Sequence, residues 1–336
     1  MNNLIVNKSI VFIDPVCPKP YKISDVGGGR MGGTEATVCR VVRELTKRFN
    51  CPAPYILQRG RTITEIDASG VTYHPLDFIS TSQVGFVVTL RDGKEYRSAK
   101  DKYPKARHYL WMHDTVSGAY QDHLEQTLGG GVHNLIFVSS YAHQQALEAM
   151  PKVMRHNVRP HIIYNMVEDD FARRAYDPKR LVFLSSPHKG LNQVLAYFKE
   201  LRKIDPEYKL EVANPGYFPD PSDLPDGVIP LRCATHQELM TRLRGAVCLF
   251  YPQDQFAETF GIVYAEANAN GVPVLGLDVG AIREIVDGQS QVVKHDQVIS
   301  TLLRWSKGER PTVGLKSIFS SQAVTKEWIK LILFGK

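Results

Sequence analysis

Glu258 and Glu266 stand eight residues apart in Glu258-Thr259-Phe260-Gly261-Ile262-Val263-Tyr264-Ala265-Glu266, which reads as a loop running into a helix. The small residues from Ala267 to Gly271 and the run Val272-Pro273-Val274-Leu275 predict the end of that helix and a buried strand after it. At such a helix start the backbone N–H groups from Phe260 to Val263 lack intrahelical acceptors, and the helix dipole favours an anion beside them. Glu258 lies before the helix and Glu266 inside it, so the two carboxylates do not touch each other but can hold opposite ends of one elongated ligand. Carboxylates accept from sugar hydroxyls, and outward-facing amides cradle a diphosphate. The combination describes a site for a nucleotide sugar. Glu-x7-Glu alone is a common pattern; Phe-Gly at the helix start and the small Ala-x-Ala-x-Gly face give it its meaning.

The segment from Phe256 to Val286 resembles the donor-site signature of the retaining glycosyltransferases of family 4. The resemblance implies an α/β chain of GT-B fold, two Rossmann-like parallel-sheet domains facing a cleft that holds the donor. It implies that Glu258 orients sugar hydroxyls, that Glu266 accepts from the ribose, and that Thr259, Phe260, Gly261 and Ile262 line the donor site.

Ser185-Ser186-Pro187-His188-Lys189-Gly190-Leu191 follows an apolar run and precedes a helical pattern, placing Lys189 at the mouth of a helix where it can neutralise a diphosphate. The family's usual pattern adds an Arg several residues before Lys-Gly. None stands here, and Ser185 and Ser186 occupy that region. Whether the serines compensate is open, as is the donor phosphate geometry. His113 follows Tyr109-Leu110-Trp111-Met112, at the strand end where parallel sheets hold ligands. The family carries a His at the equivalent place, near the transferred sugar. A metal role is disfavoured, because His113 and His123 are ten residues apart and share no helical ligand spacing.

Gly27-Gly28-Gly29-Arg30-Met31-Gly32-Gly33-Thr34-Glu35 formally contains G-x-G-x-x-G. A dinucleotide site would need the glycines directly after a strand and an acidic residue ending the next one. About a dozen residues separate Asp14 from Gly27, and the next strand ends in Gln58-Arg59-Gly60. A P-loop is excluded because no Gly-Lys-Ser/Thr follows. The resemblance gives Gly32 and Gly33 another part, a backbone that approaches the donor phosphate or acceptor at the start of the first helix.

Short apolar runs alternate with helical patterns along the whole chain, as in parallel α/β sheets. Ile10 to Asp14, Tyr55 to Leu57, Val71 to Tyr73, Val84 to Leu90, His108 to Met112 and Leu135 to Val138 read as strands. Val38, Val41, Val42 and Leu45 fall on one helix face. Leu181 to Leu184, Leu210 to Val212, Val228-Ile229, Val247 to Tyr251 and Val272 to Leu277 repeat the scheme, with a helix over Leu191 to Leu201. His161 to Phe171 resembles the family's junction into the second domain, with Tyr164 and Met166 in place of the usual Pro and Gly. Ser321 to Phe334 reads as an amphipathic helix returning to the first domain. The expected domains are residues 1–160 with 321–336 on the acceptor side and residues 161–320 on the donor side.

At 336 residues and 43% hydrophobic content the chain can fill two cores. A net charge of +6 is too mild to mark a nucleic-acid binder. Five scattered cysteines, Cys17, Cys39, Cys51, Cys233 and Cys248, give neither a disulfide framework nor a zinc spacing. No leader or membrane span is legible, so a soluble cytoplasmic protein is expected. Residues 91–107 carry seven cations and three acids and read as a solvated, salt-bridged surface with no apolar face, leaving membrane contact peripheral at most.

The expected activity is retaining, metal-independent transfer of a hexose from a nucleotide sugar to a glycan or glycoconjugate acceptor, without cofactor. The family's retaining members imply same-face attack, with the departing phosphate taking the acceptor proton and His113, Glu258 and Lys189 flanking the reaction. The compact size and the Ser-Ser-Pro variant resemble members from bacterial-envelope and large algal-virus glycan pathways. GDP-mannose is the leading donor on that ground, and UDP-glucose follows. A nucleotide-sugar epimerase, a phosphorylase and a non-catalytic scaffold on the same fold are the competing readings, and a homodimer stays open.

Overall fold

The apolar runs become the strands of two parallel sheets in a computed structural model that describes residues 8–28, 31–48, 54–80, 82–168, 175–213, 224–233 and 235–335. The chain divides into two units, one of Met1–Val26, Gly33–Met166 and Ser321–Lys336, the other of Gly27–Gly32 and Val167–Ser320. Gly29 and Arg30 of the glycine run, Cys51, and Asp169 to Phe171 of the junction segment lie outside the described residues.

The first unit runs β1 (Ser9–Asp14), α1 (Gly33–Arg48), β2 (Tyr55–Gln58), β3 (Glu65–Ile66), β4 (Thr72–Pro75), β5 (Val84–Leu90), α2 (Gly93–Lys102), β6 (Arg107–Met112), α3 (Gly118–Leu128), β7 (His133–Phe137), α4 (Ser140–Ala149), α5 (Pro151–Asn157) and β8 (Val158–Ile162). The strand order is β3-β4-β2-β1-β5-β6-β7-β8. Among the described residues of this sheet, only the β3–β4 pair is antiparallel. Ile10 to Ile13 are wholly buried, which fits a central parallel strand covered on both faces. Val38, Val41, Val42 and Leu45 of α1 are buried as their spacing predicts.

Residues 91–107 are not a solvated surface without an apolar face. Tyr96 and Ala99 of α2 are fully buried, Tyr103 follows at 7% exposure, and the i, i+3, i+7 spacing seats the helix on the sheet. Aromatic and small residues scattered among charges hid the stripe. Arg91 itself turns inward, 3.5 Å from the carboxylates of both Asp14 and Glu35, with φ of 61°.

The second unit runs β9 (Asp177–Leu184), α6 (Leu191–Ile204), β10 (Lys209–Ala213), β11 (Val228–Leu231), α7 (His236–Arg244), β12 (Ala246–Tyr251), α8 (Ile262–Ala269), β13 (Val274–Leu277), α9 (Ile282–Ile285), β14 (Val292–Val293) and α10 (Val298–Arg304). All neighbours in the order β11-β10-β9-β12-β13-β14 are parallel. The chain builds outward from β9 to β11, then returns to place β12 on the other side of β9. That reversal makes the β9/β12 crevice the switch point at which open parallel sheets hold ligands. The last helix, α11 (Ser321–Phe334), belongs to the first unit, where Trp328 packs 6.0 Å from Phe12 and 4.8 Å from Trp111 between ring centroids. No helix among the described residues is long and apolar enough to cross a membrane.

Candidate functional site

Lys189 and Glu258 emerge at the switch point of the second unit, from the segments that follow β9 and β12. After β9, Ser186 accepts at its carbonyl from the Lys189 N–H (2.9 Å), a tight turn that ends at Gly190 with φ of 84°. A side chain at Gly190 would meet Gln253 at 2.6 Å, so glycine lets α6 start against the loop after β12. Gln253 is fully buried and braces that loop, donating to the Phe256 carbonyl (2.9 Å) and accepting from the Phe256 N–H (2.8 Å).

The bracing delivers Glu258 to Lys189. The ammonium donates to both carboxylate oxygens, at 2.9 and 3.0 Å, and lies 4.4 Å from the centre of the Phe256 ring. Glu258 is 8% exposed. Its Oε1 also lies 3.2 Å from the Tyr251 hydroxyl, which is 3.3 Å from the Ser185 hydroxyl. Tyr251 is stacked on Phe183 with centroids 5.2 Å apart. Burial, and then the Glu258 charge, push its phenol well above the ordinary range, so it stays protonated and donates. The main chain of Glu258 is fixed too: its carbonyl accepts from Ala281 N–H at 2.9 Å, and Gly280, with φ of 66°, presses against it.

Thr259 and Phe260 lead into α8, whose N-cap is Gly261 with φ of 74°. A side chain on Gly261 would enter the Tyr264 ring, and Phe260 is anchored edge-on to Phe319 with centroids 5.3 Å apart. Ile262 is the first helical residue, so the helix start follows Glu258 within four residues. Glu266 sits one turn further on, 8% exposed, with Oε1 3.1 Å from His236 Nε2. Glu258 and Glu266 thus stand on either side of a helix N-terminus, as the spacing predicts.

The structure brings Lys189, Ser185, Tyr251 and Glu258 into one hydrogen-bonded group, with Ser186 shaping the turn. His113 lies in the first unit at the end of β6, 7% exposed, its ring 4.6 Å from that of Trp111. Burial, aided by the Arg91 charge, holds its imidazole well below the usual range and therefore neutral. Gly33 opens α1 and Gly32 precedes it. Tyr251, Gln253, Gly280 and His236 are the residues that sequence reasoning missed. Only His236 carried a local signal, in the Thr235-x-x-Glu238 capping box that starts α7.

Residues 168–298, which run from the start of the second unit to the first residue of α10, match the family described as glycosyl transferases group 1. No curated protein matches the chain in sequence. Among solved structures, HepE from Anabaena, in complex with UDP and glucose, aligns over 97% of this chain and 99% of its own, at 13% identity and a TM-score of 0.60. WaaG, a glycosyltransferase involved in lipopolysaccharide biosynthesis, aligns over 97% and 100%, at 12% identity and 0.59. The fold is that of the GT-B glycosyltransferases. TarM shares it at 13% identity and a TM-score of 0.55, with 74% of this chain aligned. The chain spans about half the length of TarM, 55%. At these identities the likeness to the GT-B structures establishes fold.

Proposed function

We propose that this protein is a retaining, metal-independent glycosyltransferase that moves a hexose from a nucleoside-diphosphate sugar to a glycan or glycoconjugate acceptor. One observation carries the reading: a Lys–carboxylate pair at a sheet switch point, followed directly by a helix N-terminus with a second carboxylate one turn inside. Lys189 and the amides of Phe260 and Gly261 stabilise the charge that grows on the departing diphosphate. Glu258 orients the hexose hydroxyls, Glu266 accepts from the ribose, and the released phosphate takes the acceptor proton on the same face. Fixed dipoles and one ammonium supply the positive charge that a metal gives elsewhere. The second unit binds the donor, the first serves the acceptor, and the protein works in the cytoplasm.

Two donors are put forward. GDP-mannose follows from the resemblance of the Ser185-Ser186-Pro187 variant, and UDP-glucose is favoured by the UDP and glucose held in HepE. Incubation with a panel of nucleotide sugars, with and without excess EDTA, tests the proposal. Slow release of nucleoside diphosphate from one donor is expected, unchanged within about twofold by EDTA. No release from any donor, or epimer formation without diphosphate release, overturns it; loss in EDTA restored by manganese overturns the metal-independent part.

A further inference from the structure

We propose that His236 is a positioning residue for nucleotide recognition, holding the Glu266 carboxylate so that the second unit selects a ribose diol over its deoxy analogues. The inference rests on the donor site proposed above and adds a residue to it. Glu266 is on α8 and His236 is the first residue of α7, thirty positions earlier, so only the fold brings them to 3.1 Å. Both ends of α7 are fixed. At its C-terminus the buried Arg244 donates from Nε to Asn270 Oδ1 at 2.6 Å, and Asn270 in turn donates to the Glu266 carbonyl at 2.7 Å.

At its N-terminus Thr235 caps α7, accepting from Glu238 N–H at 3.1 Å, while Glu238 accepts back from the Thr235 N–H. The His236 N–H donates to the Gly27 carbonyl at 2.7 Å, which leaves the imidazole little freedom of origin. With its proton on Nε2 the ring donates to Glu266 Oε1. A carboxylate offers about four acceptor sites, so one bond from an imidazole fixes the orientation of the group and leaves it able to accept from vicinal hydroxyls. A Glu side chain has three rotatable bonds, and loss of the imidazole bond widens the range of geometries in which it meets a ribose.

The test is calorimetric titration of the full chain with GDP and UDP and with their 2′,3′-dideoxy forms, for wild type, His236→Ala and His236→Gln, with melting temperature as a folding control. Wild type should prefer the ribo form by about tenfold or more, since a charged acceptor loses two partners in the dideoxy form. His236→Ala should bring that preference to within about threefold by weakening the ribo form alone, and His236→Gln, which keeps a donor at similar reach, should restore most of it. A His236→Ala protein that discriminates as wild type does, or that loses ribo and dideoxy affinity equally, overturns the role of His236 and leaves the donor site standing. Failure of wild type to bind either diphosphate overturns both readings.

Discussion

Lys189 holds both carboxylate oxygens of Glu258, at 2.9 and 3.0 Å, across sixty-nine residues of chain. The cation proposed for the leaving diphosphate and the carboxylate proposed for the hexose therefore pair with each other. On the proposed function, a nucleotide sugar would replace this internal ion pair with two external contacts, its phosphates taking the ammonium and its hydroxyls the carboxylate. A bare diphosphate would release Glu258 without giving it a new partner. Selectivity for the complete donor over its product is the expected consequence of that exchange.

Removing the ammonium should hurt folding and binding together. Lys189→Ala leaves Glu258 buried with the Tyr251 hydroxyl but without its charge partner, a loss of roughly 1–3 kcal/mol of stability. Nucleoside-diphosphate affinity should fall about ten- to a hundredfold. Adding Glu258→Gln to Lys189→Ala removes the stranded charge, so the double variant should be more stable than Lys189→Ala alone. Denaturant titration of the four proteins in the cycle measures the coupling; additive losses would mean that the pair contributes nothing.

Gly280 should be intolerant of a side chain. Its φ is 66°, and a Cβ there would stand 2.7 Å from both the N and the O of Glu258. Gly280→Ala should destabilise by roughly 2 kcal/mol or more and lower turnover by displacing Glu258. Gly288, with φ of 95° and open space around it, supplies the control. Gly288→Ala should lose stability through backbone strain alone and keep its turnover. Equal activity in the two variants would contradict the clamp on Glu258.

Acid should destabilise the fold early. Burial lowers the imidazoles of His74, His108, His113, His133, His143 and His161, with nearby Arg or Lys charges adding to the effect at all but His143 and His161. A depressed folded value means that the unfolded chain binds more protons once pH drops below about 6.5. Stability is thus full above that point and is lost as pH falls toward the folded values. The melting temperature should drop by about 5 °C or more between about pH 7.5 and pH 5, and His113→Asn should shrink the drop. A flat melting profile over that range would contradict the burial of these rings.

Strands that lie inside a sheet were legible because burial on both faces leaves continuous apolar runs, and Val84 to Leu90 matches β5 at both ends. Short or edge strands such as β3, β8 and β14 were not, since pairing along one edge needs few apolar residues. Glu258 before α8 and Glu266 within it were legible because a helix start is a local event, written in Phe260-Gly261. The Lys189–Glu258 bond, the Tyr251 hydroxyl beneath it and the press of Gly280 on Glu258 were not. Each joins residues from different strand ends, and no local spacing encodes which strands become neighbours.

The most direct measurement is the affinity of the Glu258→Gln protein for a bare nucleoside diphosphate and for the intact sugar donor, beside wild type and Glu266→Gln. Sequence reasoning expects bare-nucleotide affinity to be nearly unchanged by Glu258→Gln. The observed ion pair changes that expectation, because the neutral amide no longer competes for the Lys189 ammonium. Glu258→Gln should bind the bare diphosphate about threefold tighter or more, bind the intact donor less tightly relative to it, and turn over more slowly. Glu266→Gln should weaken both ligands through the ribose they share. If Glu258→Gln weakens the bare diphosphate as much as Glu266→Gln does, then Glu258 is not a sugar-side carboxylate held in check by Lys189.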